Sequence, residues 1–167
     1  MNHLYAPWRC DYHESQKKGE SVCPFCEIRD DSIGSFDEQR EVLYRGRKCF
    51  IVMNKYPYAP GHILVVPYEH CAMIDALQEG VYEEMMQEAK MMIALMQSTL
   101  HAQGVNMGMN LGKAAGAGIE EHLHMHVIPR WIGDTNFITT IGETRVFAND
   151  KKKIFEMLRS AILDRKK

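Results

Sequence analysis

The sequence has little of what marks membrane, secreted or nucleic-acid-binding proteins. No uninterrupted apolar run among its 167 residues approaches the ~20 residues needed to span a bilayer. Residues 1–12 mix polar with aromatic side chains and contain no signal-peptide core. The formal net charge is only −2, so no broad basic field attracts nucleic acid polymers or anionic membranes. We therefore expect a cytoplasmic protein whose partners are neither membranes nor nucleic acid polymers.

The cysteines are too few and too unevenly placed for a disulfide framework. There are five, an odd number without a secretory signal. Cys23 and Cys26 form a C-x-x-C pair, the spacing of a two-thiolate zinc pincer. A redox pair usually follows a strand in a βαβ pattern, which this sequence lacks. The pattern favours zinc with His70 and His122 as further ligands, while a redox pair and ordinary structural cysteines remain alternatives.

Three of the eight histidines stand at alternate positions, His122, His124 and His126. The residues between them are apolar, and alternate side chains of a strand point to opposite faces. The spacing therefore predicts three imidazoles on one face of a strand and a core-facing surface opposite. Three interpretations are open: one metal held by all three rings, a catalytic face without metal, or structural histidines. The small-residue loop 112–118 just upstream favours a phosphate site, because such loops let backbone N–H groups approach an anion.

Hydrophobic periodicity predicts an α+β fold, an antiparallel sheet with one long and one C-terminal helix. Strands are expected over 42–44, 49–53, 62–67 and 106–111, and a histidine strand that begins at His122 is expected to end at Pro129. The long helix is expected over 80–100, ended by Gly104, and the last helix near 151–165. The chain then divides into an N-terminal arm over 1–20, a domain over 21–149 carrying the nucleotide and zinc sites, and a C-terminal helix over 150–167 packed on that domain.

The run His122-Leu-His-Met-His-Val-Ile128 resembles the signature of the histidine-triad (HIT) superfamily of nucleotide hydrolases and transferases. The segment from Asn54 through Pro60-Gly61-His62 to Pro67 resembles the nucleotide-binding segment of that family. Cys23-Pro-Phe-Cys26 and Pro67-Tyr-Glu-His70 resemble the zinc-site segments of its zinc-bearing members. Residues 4–9 and 129–137 are similar to the branch of diadenosine tetraphosphate phosphorylase- and hydrolase-like proteins. The resemblance covers most of residues 4–137.

The resemblance implies a HIT-like fold and a role for each matching residue. His124 matches the nucleophile that forms a nucleotidyl-histidine intermediate, and His126 matches the histidine that contacts phosphate and the leaving oxygen. His122 matches the first histidine, which orients its neighbours or ligates structural zinc. The remaining matches are nucleotide contacts: Asn54, His62, Val52, Leu64, Asn110, Gly116 and Gly118. One departure is that Gly118 and Ile119 occupy positions where many members carry Gln or Ser.

The resemblance implies a homodimeric enzyme that cleaves dinucleoside polyphosphates by hydrolysis or phosphorolysis. A nucleoside phosphoramidase or general nucleotidyl hydrolase is the alternative within the family. Further alternatives are a mononuclear metal enzyme using all three histidines and a nucleotide-binding protein without catalysis. Tyr56, Tyr58 and Trp131 either line the pocket or a subunit contact, or are ordinary turn and surface aromatics.

Overall fold

The computed structural model of the protein describes residues 22–31, 36–142 and 150–165. The strands form one five-stranded antiparallel sheet in the order β1-β2-β3-β5-β4. They are β1 (Val42–Arg45), β2 (Cys49–Met53), β3 (Ile63–Pro67), β4 (Gly104–Met109) and β5 (Met125–Arg130). The helices are α1 (Pro24–Asp30), α2 (Val81–Leu100), α3 (Phe137–Thr140) and α4 (Lys151–Arg165). The predicted α+β fold with an antiparallel sheet is confirmed, and the predicted N-terminal arm lies outside the described residues.

The hairpin of β2 and β3 forms the centre of the molecule. All five residues of each strand are buried, consistent with their nearly continuous runs of apolar side chains. The strands pair from Met53 with Ile63 to Cys49 with Pro67. The connecting loop ends at Gly61, whose φ of 77° is a left-handed conformation that glycine adopts without a Cβ clash. This loop carries Asn54 and delivers His62 to the start of β3.

One face of the sheet is covered by the two long helices. Alternate β2 residues Cys49, Ile51 and Met53 point to this face, where α2 contributes Met85, Met92 and Met96. Helix α4 packs on α2 and β1 through Phe155, Leu158 and Ile162.

The prediction that Gly104 ends the long helix is wrong. His101 takes the left-handed conformation at its C-cap, and Gly104 instead begins β4.

The opposite face of the sheet carries a smaller apolar layer, which we call the site-side cluster. Its buried members are Phe25, Ile28, Val42, Phe50, Val52, Leu64 and Val66. Proline at the first position of α1 suits a helix start, because the missing N–H would have no partner there. Through Phe25 and Ile28, α1 packs on the face that the histidines share.

Among the described residues, no helix is both long and apolar enough to cross a membrane.

Candidate active site and metal centre

The three histidines lie in a row on the site-side face, although the strand is shorter than predicted. Strand β5 begins at Met125, so His122 and His124 precede it and only His126 belongs to it. The apolar Leu123, Met125 and Val127 are buried, and Met125 and Val127 belong to the core on the opposite face of the sheet. The ring centroid of Phe25 is 5.3 Å from that of His122 and 5.2 Å from that of His124. The rings of His124 and His126 are 5.1 Å apart.

A backbone contact determines which nitrogen of His124 carries its hydrogen. Nδ1 of His124 lies 2.8 Å from the carbonyl oxygen of His122. A carbonyl only accepts, so Nδ1 carries the hydrogen and donates it. The lone pair of a neutral ring is then on Nε2. Burial lowers the pKa of His124, which keeps the ring neutral at pH 7 and its Nε2 nucleophilic.

A chain of hydrogen bonds orients His126 in the opposite sense. The backbone N–H of Tyr58 donates to Nδ1 of His62 across 3.0 Å, so the hydrogen of a neutral His62 ring is on Nε2. That atom donates to Nδ1 of His126 at 2.9 Å, which leaves the hydrogen of His126 on its own Nε2. Burial lowers the pKa of His62 to about 3 and that of His126 to about 4, so both rings are neutral at pH 7.

Nε2 of His126 is a buried donor without a hydrogen-bond partner among the described residues. An unpaired buried donor costs about 1–3 kcal/mol, and such atoms are uncommon away from functional sites. The rings that carry the lone pair of His124 and the N–H of His126 are neighbours, with centroids 5.1 Å apart. This arrangement joins a nucleophile to a hydrogen-bond donor for developing negative charge.

Asn54 holds His62 from the side of the loop. Its Oδ1 accepts the backbone N–H of Tyr56 at 2.9 Å, which places its Nδ2 3.3 Å from each ring nitrogen of His62. Asn54 and His62 are both buried. The structure therefore brings together these two predicted nucleotide contacts beside His126.

A metal-type donor set lies at the other end of the histidine row. Its atoms, from Cys23, Cys26, His70 and His122, lie within 4.8 Å of one another. Nδ1 of His122 is 3.3 Å from Sγ of Cys23 and 3.7 Å from Sγ of Cys26. Nδ1 of His70 is 3.2 Å from Sγ of Cys26. A tetrahedral zinc with ordinary Zn–S and Zn–N bonds requires S···N separations of about 3.5 Å, so these residues fit that metal.

The hydrogen bond on the far side of His122 also suits metal binding. Its Nε2 lies 2.9 Å from the carbonyl oxygen of Pro67, so Nε2 carries the hydrogen and Nδ1 presents its lone pair to the thiols. Such a carbonyl partner is typical of metal-ligating histidines. In the part of the chain that the structure describes, His124 and His126 belong to no such donor group. The geometry thus separates His122 from the other two histidines.

Comparison with known proteins matches the HIT domain family over residues 35–131. The chain belongs to the HIT family. It is 37% identical over 153 residues to an AP-4-A phosphorylase of Mycobacterium tuberculosis, a match that covers 87% of this chain and 76% of the relative. The family predicted from the histidine run is therefore confirmed.

Solved structures agree with the assignment of the HIT fold. A Zn-bound histidine triad family protein from Mycobacterium smegmatis superposes with a TM-score of 0.69 at 27% identity, covering 87% of this chain and 98% of its own. A hypothetical histidine triad nucleotide-binding protein from Sulfolobus tokodaii gives 0.67 at 26% identity, with 86% and 94% covered. The predicted HIT-like fold is thus confirmed.

The other predicted nucleotide contacts of this HIT protein lie in three separate parts of the fold: strands β2 and β3, the end of β4, and the loop before His122. Leu64 is the β3 partner of His126, and Val52 is the β2 partner of Leu64. Both are buried in the site-side cluster. Asn110 follows β4 and lines a groove beside His126. Gly116 ends a short 3₁₀ turn with φ of 86°, and Gly118 lies between that turn and His122. The roles of all five residues stay predictions.

Of the aromatics that the sequence left undecided, Tyr58 lies at the site. Its ring stacks on that of His126 with centroids 5.8 Å apart and planes 20° apart, and it also contacts the ring of His62. Trp131 instead donates Nε1–H to the carbonyl of Leu100 and packs on the core. The loop conformation that places Tyr58 over two histidines has no periodic signal. Its position between Pro57 and Pro60, four residues before His62, is the one sequence feature that could have indicated this contact.

Proposed function

We propose that this chain cleaves dinucleoside polyphosphates such as diadenosine tetraphosphate through a nucleotidyl-His124 intermediate. One observation carries the proposal: the carbonyl of His122 binds Nδ1 of His124 and leaves its Nε2 as a neutral nucleophile, beside the buried donor Nε2 of His126. The 37% identity to a protein named AP-4-A phosphorylase supports this substrate class.

The proposed reaction has two in-line displacements at one phosphorus. Nε2 of His124 attacks the α-phosphorus, and the bridging P–O bond breaks with its electron pair leaving on the departing nucleotide. His126 donates a hydrogen bond from Nε2 to that oxygen, and no proton needs to be transferred because nucleotide phosphates are weak bases. The modified His124 ring is a cation whose Nδ1–H still binds the carbonyl of His122. An acceptor then attacks the phosphorus, the N–P bond breaks, and the lone pair returns to Nε2.

The acceptor is water in hydrolysis and inorganic phosphate in phosphorolysis. Water releases one proton to solvent in the second step, whereas phosphate remains attached to the nucleotide as a new β-phosphate. Either acceptor gives net retention of configuration, since each of the two displacements inverts it. The nucleotide is held in this proposal by Asn54 and His62, with further contacts from Val52, Leu64, Asn110, Gly116 and Gly118.

We further propose that Cys23, Cys26, His70 and His122 hold a structural zinc. The donor spacing supports this metal, and so does the Zn-bound HIT relative of known structure. The metal supplies no chemistry to the reaction in this proposal. It would fix the His122 ring, whose own carbonyl orients the nucleophile, so that the metal centre acts on catalysis by positioning.

The remaining parts of the proposal concern organisation and location. We propose a homodimer, which the exposed edge strand β4 with its partly exposed Met107 supports. We propose one HIT domain over 21–149, an N-terminal arm over 1–20, and a C-terminal helix over 150–167 that packs on that domain. A cytoplasmic location is consistent with unpaired thiols at the described cysteines. Light scattering after gel filtration tests the dimer, which a monomer mass would contradict.

Product analysis tests the proposed function. The protein is incubated with diadenosine tetraphosphate, with and without inorganic phosphate, and products are identified by mass. ADP plus ATP formed only with phosphate indicates a phosphorylase, and AMP plus ATP without phosphate indicates a hydrolase. His124→Asn, which keeps a similar size without the nucleophilic ring, is the matched control and should be inactive. No turnover of any dinucleotide would overturn the proposal, and turnover of adenosine phosphoramidate alone would favour a phosphoramidase instead.

A further inference from the structure

A groove of about 260 Å³ opens beside His126 on the side of β4. Its walls include the rings of Tyr58 and His126, the side chain of Ile128, and strand β4 from Asn106 to Asn110. The groove therefore borders His126, whose Nε2 is buried, and it includes Asn110 but not the predicted nucleoside contacts Val52 and Leu64.

Strand register explains why His126 has two distinct flanks. On β3 its partner is Leu64, which belongs to the site-side cluster. On β4 its partner is Gly108, which lines the groove. A substrate with two nucleosides joined by phosphates needs one position on each side of the reacting phosphorus. The sheet provides a position on each side of His126, the histidine that binds the leaving oxygen in the proposed reaction.

Gly108 keeps the groove open next to His126. A Cβ at Gly108 would meet nothing within 4 Å, and Gly108 is not among the residues with positive φ. Neither the backbone conformation nor close packing therefore explains glycine at this strand position, where glycine weakens pairing. A missing side chain opposite His126 is explained if a ligand approaches the backbone here.

The lining of the groove suits an uncharged planar group with polar edges. Tyr58 offers a partly exposed aromatic face, and Ile128 offers an apolar wall. Oδ1 of Asn106 accepts Nη1–H of Arg130 at 2.9 Å. The amide group of Asn106 therefore has its Nδ2 as the hydrogen-bond donor for a ligand. A nucleobase combines a stacking face with hydrogen-bonding edges, and stacking on an aromatic side chain is worth about 1–3 kcal/mol per base.

We propose that this groove binds the nucleoside of the leaving nucleotide, with its base against Tyr58. The inference rests on the proposed function and deepens it. In an in-line displacement the leaving oxygen departs opposite Nε2 of His124, and the acceptor enters along the same path in the second step. The groove is thus the exit for the leaving nucleotide and the entrance for the acceptor, with His126 in its wall.

Two pairs of variants test the subsite with two substrates. Gly108→Val fills the groove, whereas Gly104→Val makes the same change on the same strand outside it. Tyr58→Leu removes the stacking face, and Tyr58→Phe keeps it. The substrates are diadenosine tetraphosphate and adenosine phosphoramidate, whose leaving group is only ammonia. For each variant we take the kcat/KM for diadenosine tetraphosphate divided by the kcat/KM for adenosine phosphoramidate. Gly108→Val and Tyr58→Leu should lower this ratio at least about tenfold, while Gly104→Val and Tyr58→Phe should keep the wild-type ratio. Equal losses on both substrates, or no loss, would overturn the subsite.

A binding measurement separates failure of the subsite from failure of the proposed function. A diadenosine tetraphosphate analogue with methylene bridges and AMP are titrated calorimetrically into each full-length variant. The subsite predicts that Gly108→Val raises the Kd of the analogue at least about tenfold and that of AMP by less. If this selective effect occurs in a protein without turnover, the proposed cleavage fails and the groove stands only as a binding site for a second nucleoside. If the protein turns over but both Kd values respond alike, the subsite fails alone.

Discussion

Nε2 of His62 donates a hydrogen bond to Nδ1 of His126 at 2.9 Å. This contact gives His62, a residue of the loop before β3, control over the tautomer of a histidine 64 residues later. Because the N–H of Tyr58 fixes His62 in turn, the buried N–H of His126 depends on backbone geometry in the loop after Asn54. The catalytic face is therefore assembled from two chain segments.

Replacing His62 should slow the reaction more than it weakens binding. In His62→Ala the donor to Nδ1 of His126 is lost, so the His126 ring is free to take the wrong tautomer. We expect kcat to fall about a hundredfold, the lower limit of the range for acid–base groups, with a smaller change in KM. Steady-state kinetics with diadenosine tetraphosphate checks this, and an unchanged kcat would show that His62 does not orient His126.

Stability should fall as the pH is lowered through the histidine range. The folded pKa values of about 3 for His62 and about 4 for His126 lie below the unfolded value of ~6.5. Between these limits the unfolded chain binds more protons, so the free energy of unfolding rises with pH. The contribution is complete above about pH 6.5 and is lost progressively as the pH falls toward 4.

Urea unfolding at pH 7.5 and pH 5 measures this dependence. The double variant His62→Gln, His126→Gln should lose less stability between these two pH values than the wild type. The difference should be up to about 4 kcal/mol, since each ring with an unfolded pKa of ~6.5 contributes about 2 kcal/mol. Protonation of the metal ligands affects both proteins alike and cancels in the comparison. The exposed His101, changed to Asn, is the matched control. Equal pH dependence in the double variant and the wild type would contradict the buried neutral pair.

Loss of a metal ligand should destabilise the domain. Cys23→Ser or treatment with a chelator should remove one zinc per chain and lower the free energy of unfolding by about 2 kcal/mol or more, a fall in Tm of at least about 4 °C. Cys71→Ser is the matched control, because Cys71 adjoins His70 but lies outside the donor set. Metal analysis with calorimetry checks both effects. Full zinc content in Cys23→Ser would exclude this ligand set.

Gly61 should not tolerate a side chain. A Cβ there would lie 2.9 Å from Cδ1 of Leu100 and 3.2 Å from Cγ of Pro129, at a φ of 77°. Gly61→Ala should therefore cost about 1–3 kcal/mol of unfolding free energy, from overpacking and backbone strain together. Gly104→Ala has only an ordinary contact at 3.8 Å and serves as the control in urea titrations. Equal stability of the two variants would disprove the steric account.

The sequence predicted the elements whose signal is local. Alternating apolar residues indicated the common face of His122, His124 and His126, and the C-x-x-C pair indicated the metal-type cluster. The length of β5 was not predictable from that alternation. The N–H of Leu123 bonds the carbonyl of Cys71 instead of a strand neighbour, so pairing starts only at Met125. The tautomers depend on carbonyls and N–H groups whose positions follow from tertiary structure, and the pattern of side chains carries no signal for them.

Detection of a nucleotidyl group on His124 tests the central claim most directly. The protein is mixed with diadenosine tetraphosphate, quenched without acid because histidine phosphoramidates are acid-labile, digested and mapped by mass spectrometry. The account predicts an adenylyl group on His124, none on His122 or His126, and no adduct or turnover in His124→Asn. Turnover that persists in His124→Asn, or an adduct on another residue, would contradict the account.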